Sequence, residues 1–236
     1  MIGHRPWQRR SVPKPTDSNH EERDARRALL LWDGQGHPPA DPHDRHQAVR
    51  SALLLALGRF DRLRPEDLMA GLNDADQRVR LCALRLAAAH PATHDDAIRT
   101  ALLDLLAGDD HLVAEAAAAA LGETGEEREA PADLHTVRAL SKAATDHPDK
   151  LVREAAVAAL GSLGHPDALA AVLVANDDVA TVRRRAVLAL AAFEGPEVER
   201  RLNAALSDRD WQVRQGAEDL LEAAPSPAPL PTDHPD

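Results

Sequence analysis

Aromatic side chains are scarce in this sequence of 236 residues: Phe, Trp and Tyr make up 2% of it, and Tyr is absent. Ala and Leu are abundant instead, whereas sheets favour β-branched and aromatic residues. Hydrophobic residues still account for 44% of the chain, which is enough to form a sizeable core. The composition therefore predicts closely packed helices and argues against sandwich and barrel folds.

The chain is also poor in cysteine and in long apolar runs. Cys82 is the single cysteine, so intramolecular disulfides and cysteine-built zinc sites are excluded. Runs such as Leu53–Leu57 are far shorter than the ~20 residues that span a bilayer, and Met1–Pro15 lacks the apolar region of a signal peptide. We expect a cytoplasmic protein that does not insert into a membrane.

Positive charge is in deficit as well. The 28 Lys and Arg residues face 39 Asp and Glu residues, which gives a formal net charge of -11. Sequence-independent binding of nucleic acid requires a basic surface. Nucleic acid is therefore not an expected partner, although a local basic patch remains compatible with this balance.

What the sequence does contain is a short pattern that recurs six times. An Asp precedes a Val by three or more residues, and Arg usually follows the Val. Clear copies begin at Asp76, Asp149 and Asp210, and degenerate copies begin near Asp44, Asp110 and Asp178. The valines are Val49, Val79, Val113, Val152, Val182 and Val213, at intervals of 30, 34, 39, 30 and 31 residues. These intervals suit a helical hairpin with its turns.

Each copy predicts a helix with one buried face. The Asp can accept hydrogen bonds from the free N–H groups of the first turn, and the positions four, seven and eight after the Val are apolar in every copy. The predicted second helices of the hairpins lie near residues 44–59, 76–89, 110–121, 149–163, 178–193 and 210–223. The predicted first helices are the amphipathic segments His20–Trp32, Pro65–Leu72, His94–Ala107, Pro131–Ala144, Pro166–Ala175 and Pro196–Leu206. Gly122, Gly161 and Gly164 suit left-handed caps at helix C-termini.

The pattern Asp-x-x-Val-Arg-x-x-Ala-Ala-x-Ala-Leu resembles HEAT repeats, in particular the short PBS-lyase HEAT-like type, over roughly residues 20–223. The resemblance implies an all-α fold, a right-handed α-solenoid of about six HEAT-like helical hairpins. It also implies a stacked ladder of Asp and Arg side chains from successive repeats, here Asp76, Asp149 and Asp210 with Arg80, Arg153, Arg183 and Arg214. The third copy has Ala114 where Arg is expected, which predicts a weakened rung.

Three segments lie outside the repeat pattern. Residues 1–19 form a basic leader without a predicted fold, or alternatively an arm that binds an acidic or membrane-surface partner through Trp7 and its arginines. Residues 224–236 are Pro-rich, which predicts an extended tail or a ligand for a proline-binding domain. Residues 122–131 are an acidic insertion, either a solvated loop or a binding element.

The sequence offers little catalytic chemistry. The densest histidine group contains His37, Asp41, His43, Asp44 and His46, but its spacing is poor for a metal, so we expect neither metal nor cofactor. HEAT-like hydroxylases use repeated His-Glu pairs, whereas this chain has one, His20-Glu21. Phosphate loops and nucleophile elbows are absent from the sequence. A bilin-lyase-like or DNA-glycosylase-like protein remains the enzymatic alternative, and an array of solenoids stacked end to end is the structural one.

A binding surface is predicted half a turn away from the buried face, at the positions two before, two after and six after each Val. In HEAT-like arrays this face of the second helices usually lines the concave surface. The residues that we expect to contact a partner are Leu55, Leu81, Arg85, Glu154, Arg184, Leu188, Trp211 and Gln215. The leucines could equally pack between repeats, and Trp211 could cap the core instead of contacting a partner. The sequence thus favours a non-catalytic scaffold that binds a protein or peptide.

Overall fold

The computed structural model describes residues 17–89, 95–123 and 133–223. All regular structure in these ranges is helical, and the chain divides into two units, residues 1–63 and 64–236. In the first unit, α1 (Asp17–Leu31) packs against α2 (Gln47–Arg59). The twelve α-helices of the described ranges follow one another as six successive pairs, one in the first unit and five in the second.

The second unit contains α3 to α12. Its first helices are α3 (Pro65–Leu72), α5 (Asp96–Leu106), α7 (Leu134–Asp146), α9 (Leu169–Ala175) and α11 (Pro196–Ala205). Its second helices are α4 (Gln77–Ala88), α6 (His111–Gly122), α8 (Lys150–Leu163), α10 (Ala180–Ala189) and α12 (Trp211–Ala223). Short 3₁₀ turns precede α9 (Pro166–Ala168) and follow α10 (Leu190–Ala192). Each second helix packs on its own first helix and on the next second helix, as in an α-solenoid.

The repeat valines form the continuous core that the periodicity predicts. Val79, Val113, Val152, Val182 and Val213 are all buried, as is Val49 in the first unit. The apolar positions four residues later, such as Ala83, Ala117 and Ala156, are buried too. Because these small residues occupy one face of each second helix, adjacent helices approach closely and bury a stripe that a single hairpin could not cover.

Asp residues cap six of the twelve α-helices in the described ranges, through hydrogen bonds to free N–H groups. Asp76 accepts from the N–H of Arg78 at 2.9 Å, Asp110 from that of Val113 at 3.3 Å, and Asp149 from that of Leu151 at 2.7 Å. Two predicted caps are wrong: α2 begins after His46 and α10 after Val179, whereas Asp44 and Asp178 were expected there. The carboxylates of Asp44 and Asp178 accept hydrogen bonds from the N–H groups of His46 and Val179, which precede the first residues of α2 and α10. Each carboxylate therefore closes a turn in front of the helix instead of capping the helix itself.

Two of the three glycines expected at left-handed caps have another role. Gly164 follows α8 with φ = 58°, as predicted, but Gly122 ends α6 and Gly161 lies within α8, both without a positive φ. A Cβ atom on Gly122 would lie 2.5 Å from the Cα of Ala159, and one on Gly161 would lie 2.8 Å from the Cβ of Ala189. These glycines allow successive second helices to touch backbone to backbone.

The predicted leader, insertion and tail fall mostly outside the described residues. Helix α1 begins at Asp17, so the last three residues of the predicted leader are helical. Ser18 stabilises this first turn, because its Oγ lies 2.8 Å from Nε2 of His46 at the start of α2. Residues 1–16, 124–131 of the insertion and 224–236 of the tail are outside the described ranges.

Candidate partner-binding face and arginine ladder

The arginine after each repeat valine holds the turn between the two helices of its own repeat. Nη1 of Arg80, Arg153, Arg183 and Arg214 donates to backbone carbonyl oxygens of Asp74, His147, Asp178 and Asp208 at 2.7 to 2.9 Å. These carbonyls precede the arginine by five or six residues, in the turn that leads into the second helix. A buried carbonyl without a partner would cost free energy, so the arginine fixes the turn.

Three of these arginines, Arg80, Arg153 and Arg183, also reach the next repeat, but the acids that they bond differ from those expected. Arg80 donates to Asp110 at 3.2 Å, Arg153 to Asp178 at 2.6 and 2.8 Å, and Arg183 to Asp208 at 2.9 and 2.8 Å. Asp76, Asp149 and Asp210 were predicted as the rungs. Asp110 lies three residues before the valine of its repeat, Asp178 four and Asp208 five. The acid that bonds the arginine therefore occupies a different position in each of the three turns.

Asp210 belongs to a second contact that sequence reasoning missed. Arg184 donates through Nε and Nη2 to its two oxygens at 3.0 and 2.6 Å, so the guanidinium joins α10 to the start of α12. The pKa of Asp210 is lowered to about 2, chiefly by this hydrogen bond and in smaller part by the N–H groups of Gln212 and Val213. Arg184 was expected to face a partner; it is instead engaged in this ion pair.

Hydrogen bonds from arginine lower the pKa of two other ladder acids. The guanidinium of Arg153 holds the pKa of Asp178 below its usual value, and that of Arg183 does the same for Asp208. At Asp110 burial raises the pKa, but bonds from Gln77, Val113 N–H and Arg80 outweigh it, and the net change is downward. The ladder is therefore built of ionised carboxylates.

Ala114 interrupts the ladder where the sequence indicated a weak rung. Its side chain is fully buried and cannot hold the turn before α6. In the part of the chain that the structure describes, the Asp149 carboxylate accepts from Leu151 N–H and no arginine lies within salt-bridge distance. Asp149 therefore caps α8 but forms no rung, and the second helices of the third and fourth repeats instead approach closely at Gly122.

The second-helix face is the set of positions two and six residues after each valine. In the second unit these are Leu81, Arg85, Glu115, Ala119, Glu154, Ala158, Arg184, Leu188, Gln215 and Asp219. None of them belongs to the fully buried core, and Arg85, Ala119, Leu188, Gln215 and Asp219 are exposed. In the first unit, Leu55 occupies the corresponding position on α2 and is also exposed.

A shallow depression, lined mainly by small residues together with Leu188, Ser162 and Arg185, lies on this face between the C-terminal halves of α8 and α10. Its volume is ≈ 430 Å³, and Ala158, Gly161, Leu188 and Ala192 line it. Leu188 is 51% exposed, so it does not pack between repeats, which was the other interpretation. Arg185 also lines the depression, and its Nη2 lies 3.7 Å from Oε1 of Glu154.

Trp211 lies at the margin of this face, as the first residue of α12. It is 63% exposed, and a Trp that closed the core would be buried, so the interpretation as a core cap is wrong. Gln215, one turn further on, donates to Asp219 at 2.8 Å.

Leu112 and Leu151 are exposed apolar residues at the starts of α6 and α8. Several second helices therefore present an unpaired apolar side chain near their N-terminus.

A second depression, of ≈ 330 Å³, is polar and lies at the turns of the last two repeats. Its lining includes Asp177, Asp208, Arg183, Arg201 and Arg209. The charged groups are mostly engaged with one another: Arg183 bonds Asp208, and Arg201 bonds Asp177. Arg183 is 5% exposed. The depression therefore lies beside the ladder, and most of its acidic and basic side chains are bonded to one another instead of being free to contact a substrate.

A Ser–His–Asp chain of hydrogen bonds occurs in the first unit, where sequence reasoning did not place one. Besides Ser18, His46 contacts Asp44, with Nδ1 2.9 Å from Oδ1. The order of the groups is that of a hydrolase triad. Oδ1 of Asp44 also accepts the N–H of His46 at 2.7 Å, so this carboxylate closes its own turn, and the chain ties the start of α1 to that of α2.

The described residues offer neither a metal centre nor a membrane span. Within the ranges 17–89, 95–123 and 133–223, no three His, Cys, Asp or Glu side chains converge as a metal would require. No helix in these ranges is long and apolar enough to cross a bilayer. Cys82 is buried in α4, and burial raises the pKa of its thiol.

One solved structure matches this fold with a TM-score of 0.50, and two others match with lower scores. An engineered protein crystallised by the Northeast Structural Genomics Consortium matches with a TM-score of 0.50 and 22% identity, over 88% of this chain and 91% of that one. A designed armadillo repeat protein matches with a TM-score of 0.48 and 18% identity, over 90% and 95%. Human deoxyhypusine hydroxylase in complex with glycerol matches with a TM-score of 0.42 and 18% identity, over 86% and 95%.

Comparison with family models identifies the repeats. Comparison with the curated proteins gives no significant match. The model of HEAT repeats matches residues 101–191, and that of the PBS lyase HEAT-like repeat matches residues 182–208. These ranges contain the helices from α6 to α11 and the C-terminal part of α5, with the ladder contacts of Arg153 and Arg183. Residues 101–208 of the chain therefore match HEAT repeats, and residues 182–208 match the PBS lyase HEAT-like type.

Proposed function

We propose that this protein is a non-catalytic scaffold or adaptor that binds a protein or peptide along the second-helix face. The observation that carries the proposal is the depression beside Leu188. It combines an exposed leucine with a floor of Ala and Gly, over which a partner backbone can approach closely. Repeat arrays offer extended surfaces of this kind to elongated ligands.

The engaged arginines support a binding surface over a reactive one. Catalysis by acid, base or nucleophile needs groups that are free to contact a substrate. Arg153, Arg183 and Arg184 instead bond carboxylates of the neighbouring repeat. The apolar groups of the face, by contrast, have no such engagement and gain free energy when a partner covers them.

The test is capture of partners from an extract of the native source with the full chain and two matched variants. Leu188→Glu places a charge in the depression, whereas Val174→Glu places one on α9, a first helix, where Val174 is 57% exposed. Both variants should retain the melting temperature of the wild type, because both side chains are exposed. We expect Leu188→Glu to lose the captured partner and Val174→Glu to keep it. Equal capture by all three proteins would refute the proposal.

A further inference from the structure

The charges around the depression identify the chemistry of the partner. On the second-helix face from α6 to α12, Arg184 forms an ion pair with Asp210. Arg185, which lies next to this face and lines the depression, forms an ion pair with Glu154. Among the described residues, Glu115 and Asp219 on the same face form no ion pair. Glu218 and Glu222 are exposed beside Asp219 and form none either.

The acids that form no ion pair flank the depression on two sides. Glu115 lies on α6, and Asp219, Glu218 and Glu222 lie on α12, whereas Leu188 and Ala158 lie on the helices between them. Adjacent packed helices are about 8–10 Å apart, which is the length of about three residues of extended chain. A segment that crosses these helices would meet carboxylates, then the depression, then another carboxylate.

We propose that the occupant of the second-helix face is a basic segment of another protein that carries at least one aliphatic side chain. The aliphatic side chain enters the depression beside Leu188, and Lys or Arg residues on either side of it meet Asp219 and Glu115. This inference rests on the proposed function and adds the chemical class of the partner. Complementary charge steers such a segment and fixes its register, while the apolar contact supplies affinity.

The experiment is selection of a random peptide library on the immobilised full chain, followed by measurement of Kd for the enriched peptides by fluorescence anisotropy. Two double variants change the net charge equally. Glu115→Lys with Asp219→Lys reverses charge on the second-helix face. Asp104→Lys with Glu199→Lys reverses charge on the first helices α5 and α11, where both residues are exposed.

We expect enriched peptides to be basic and to contain an aliphatic residue. The second-helix double variant should bind them about tenfold more weakly, since two attractions become repulsions, and the first-helix variant less than about twofold. Binding should also weaken as salt is added. Enriched peptides without net positive charge, or an equal loss with both double variants, would overturn the inference.

The same selection separates this inference from the proposed function. If enriched peptides lose binding with Leu188→Glu but are neutral or acidic, the face binds partners and the assignment of a basic partner is wrong. If the library yields no peptide that depends on Leu188, the proposed function fails and the inference fails with it.

Discussion

The guanidinium of Arg183 joins Asp178 and Asp208, which belong to two successive repeats. Its Nη1 donates to the backbone carbonyl of Asp178 at 2.8 Å, and its Nε and Nη2 donate to the carboxylate of Asp208 at 2.9 and 2.8 Å. One buried side chain thus fixes the turn of its own repeat and the position of the next. The position of the second-helix face depends on such contacts, because they set how each repeat stacks on its neighbour.

Loss of this arginine should destabilise the protein strongly. Arg183→Gln would leave the Asp208 carboxylate and the Asp178 carbonyl with poor partners in a buried setting, which costs about 2–4 kcal/mol. Arg185→Gln is the matched control, since Arg185 is exposed and its contact with Glu154 is long, so it should cost less than about 1 kcal/mol. Urea unfolding measures both. Equal losses would show that the ladder contact adds no stability.

Asp149 and Asp178 should respond differently to the same substitution. Asp178→Asn weakens a bidentate bond to Arg153 and should cost about 1–3 kcal/mol of unfolding free energy. Asp149→Asn retains an N-cap oxygen and loses no rung, so it should cost less than about 0.5 kcal/mol. Urea titrations of the two variants give the comparison. A cost for Asp149→Asn as large as that for Asp178→Asn would contradict the interrupted ladder at Ala114.

Acid should remove the contribution of the ladder carboxylates. The pKa of Asp210 is about 2 in the folded chain and about 3.9 in the unfolded chain, so its ionised form favours folding. This stability is present above about pH 4 and is lost as the pH falls toward about 2. The difference in melting temperature between wild type and Asp210→Asn should therefore vanish between these values. A difference that persists unchanged at about pH 2 would contradict the assignment.

The close approach of α6 and α8 predicts opposite effects of one substitution at two glycines. Gly122→Ala would place a Cβ 2.5 Å from the Cα of Ala159, so the helices must separate, at about 1–3 kcal/mol. Gly216→Ala in α12 meets Val187 at an ordinary 3.4 Å and should gain up to about 1 kcal/mol from helix propensity. The melting temperatures of the two variants and the wild type measure these effects. A melting temperature of Gly122→Ala above that of the wild type would refute the close packing.

The Ser18–His46 contact should contribute to stability and not to hydrolysis. Ser18→Ala should cost about 1 kcal/mol, because one partly buried hydrogen bond is lost. Hydrolysis of p-nitrophenyl acetate should be equal for wild type and Ser18→Ala. An activity that disappears in the variant would instead assign a nucleophile to Ser18.

The sequence predicts the repeat architecture well because periodicity and capping are local properties. The spacing of the valines locates the second helices, and the segment Pro65–Leu72 is helical to the residue. The partners of the arginines are harder to predict, because they depend on the path of the turn before each second helix. Asp178 and Asp208, for example, lie four and five residues before the valines of their repeats. The exposure of Trp211 and the packing of Gly122 depend on how repeats stack, which one repeat does not reveal.

Photo-crosslinking from the second-helix face tests the central claim most directly. A photoreactive phenylalanine analogue replaces either Leu188 on α10 or Val174 on α9, and the captured partner is irradiated with each protein. The account predicts a crosslinked product from position 188 and none from position 174, since both positions are exposed but only the first lies on the proposed face. A crosslink from position 174, with none from position 188, would contradict it.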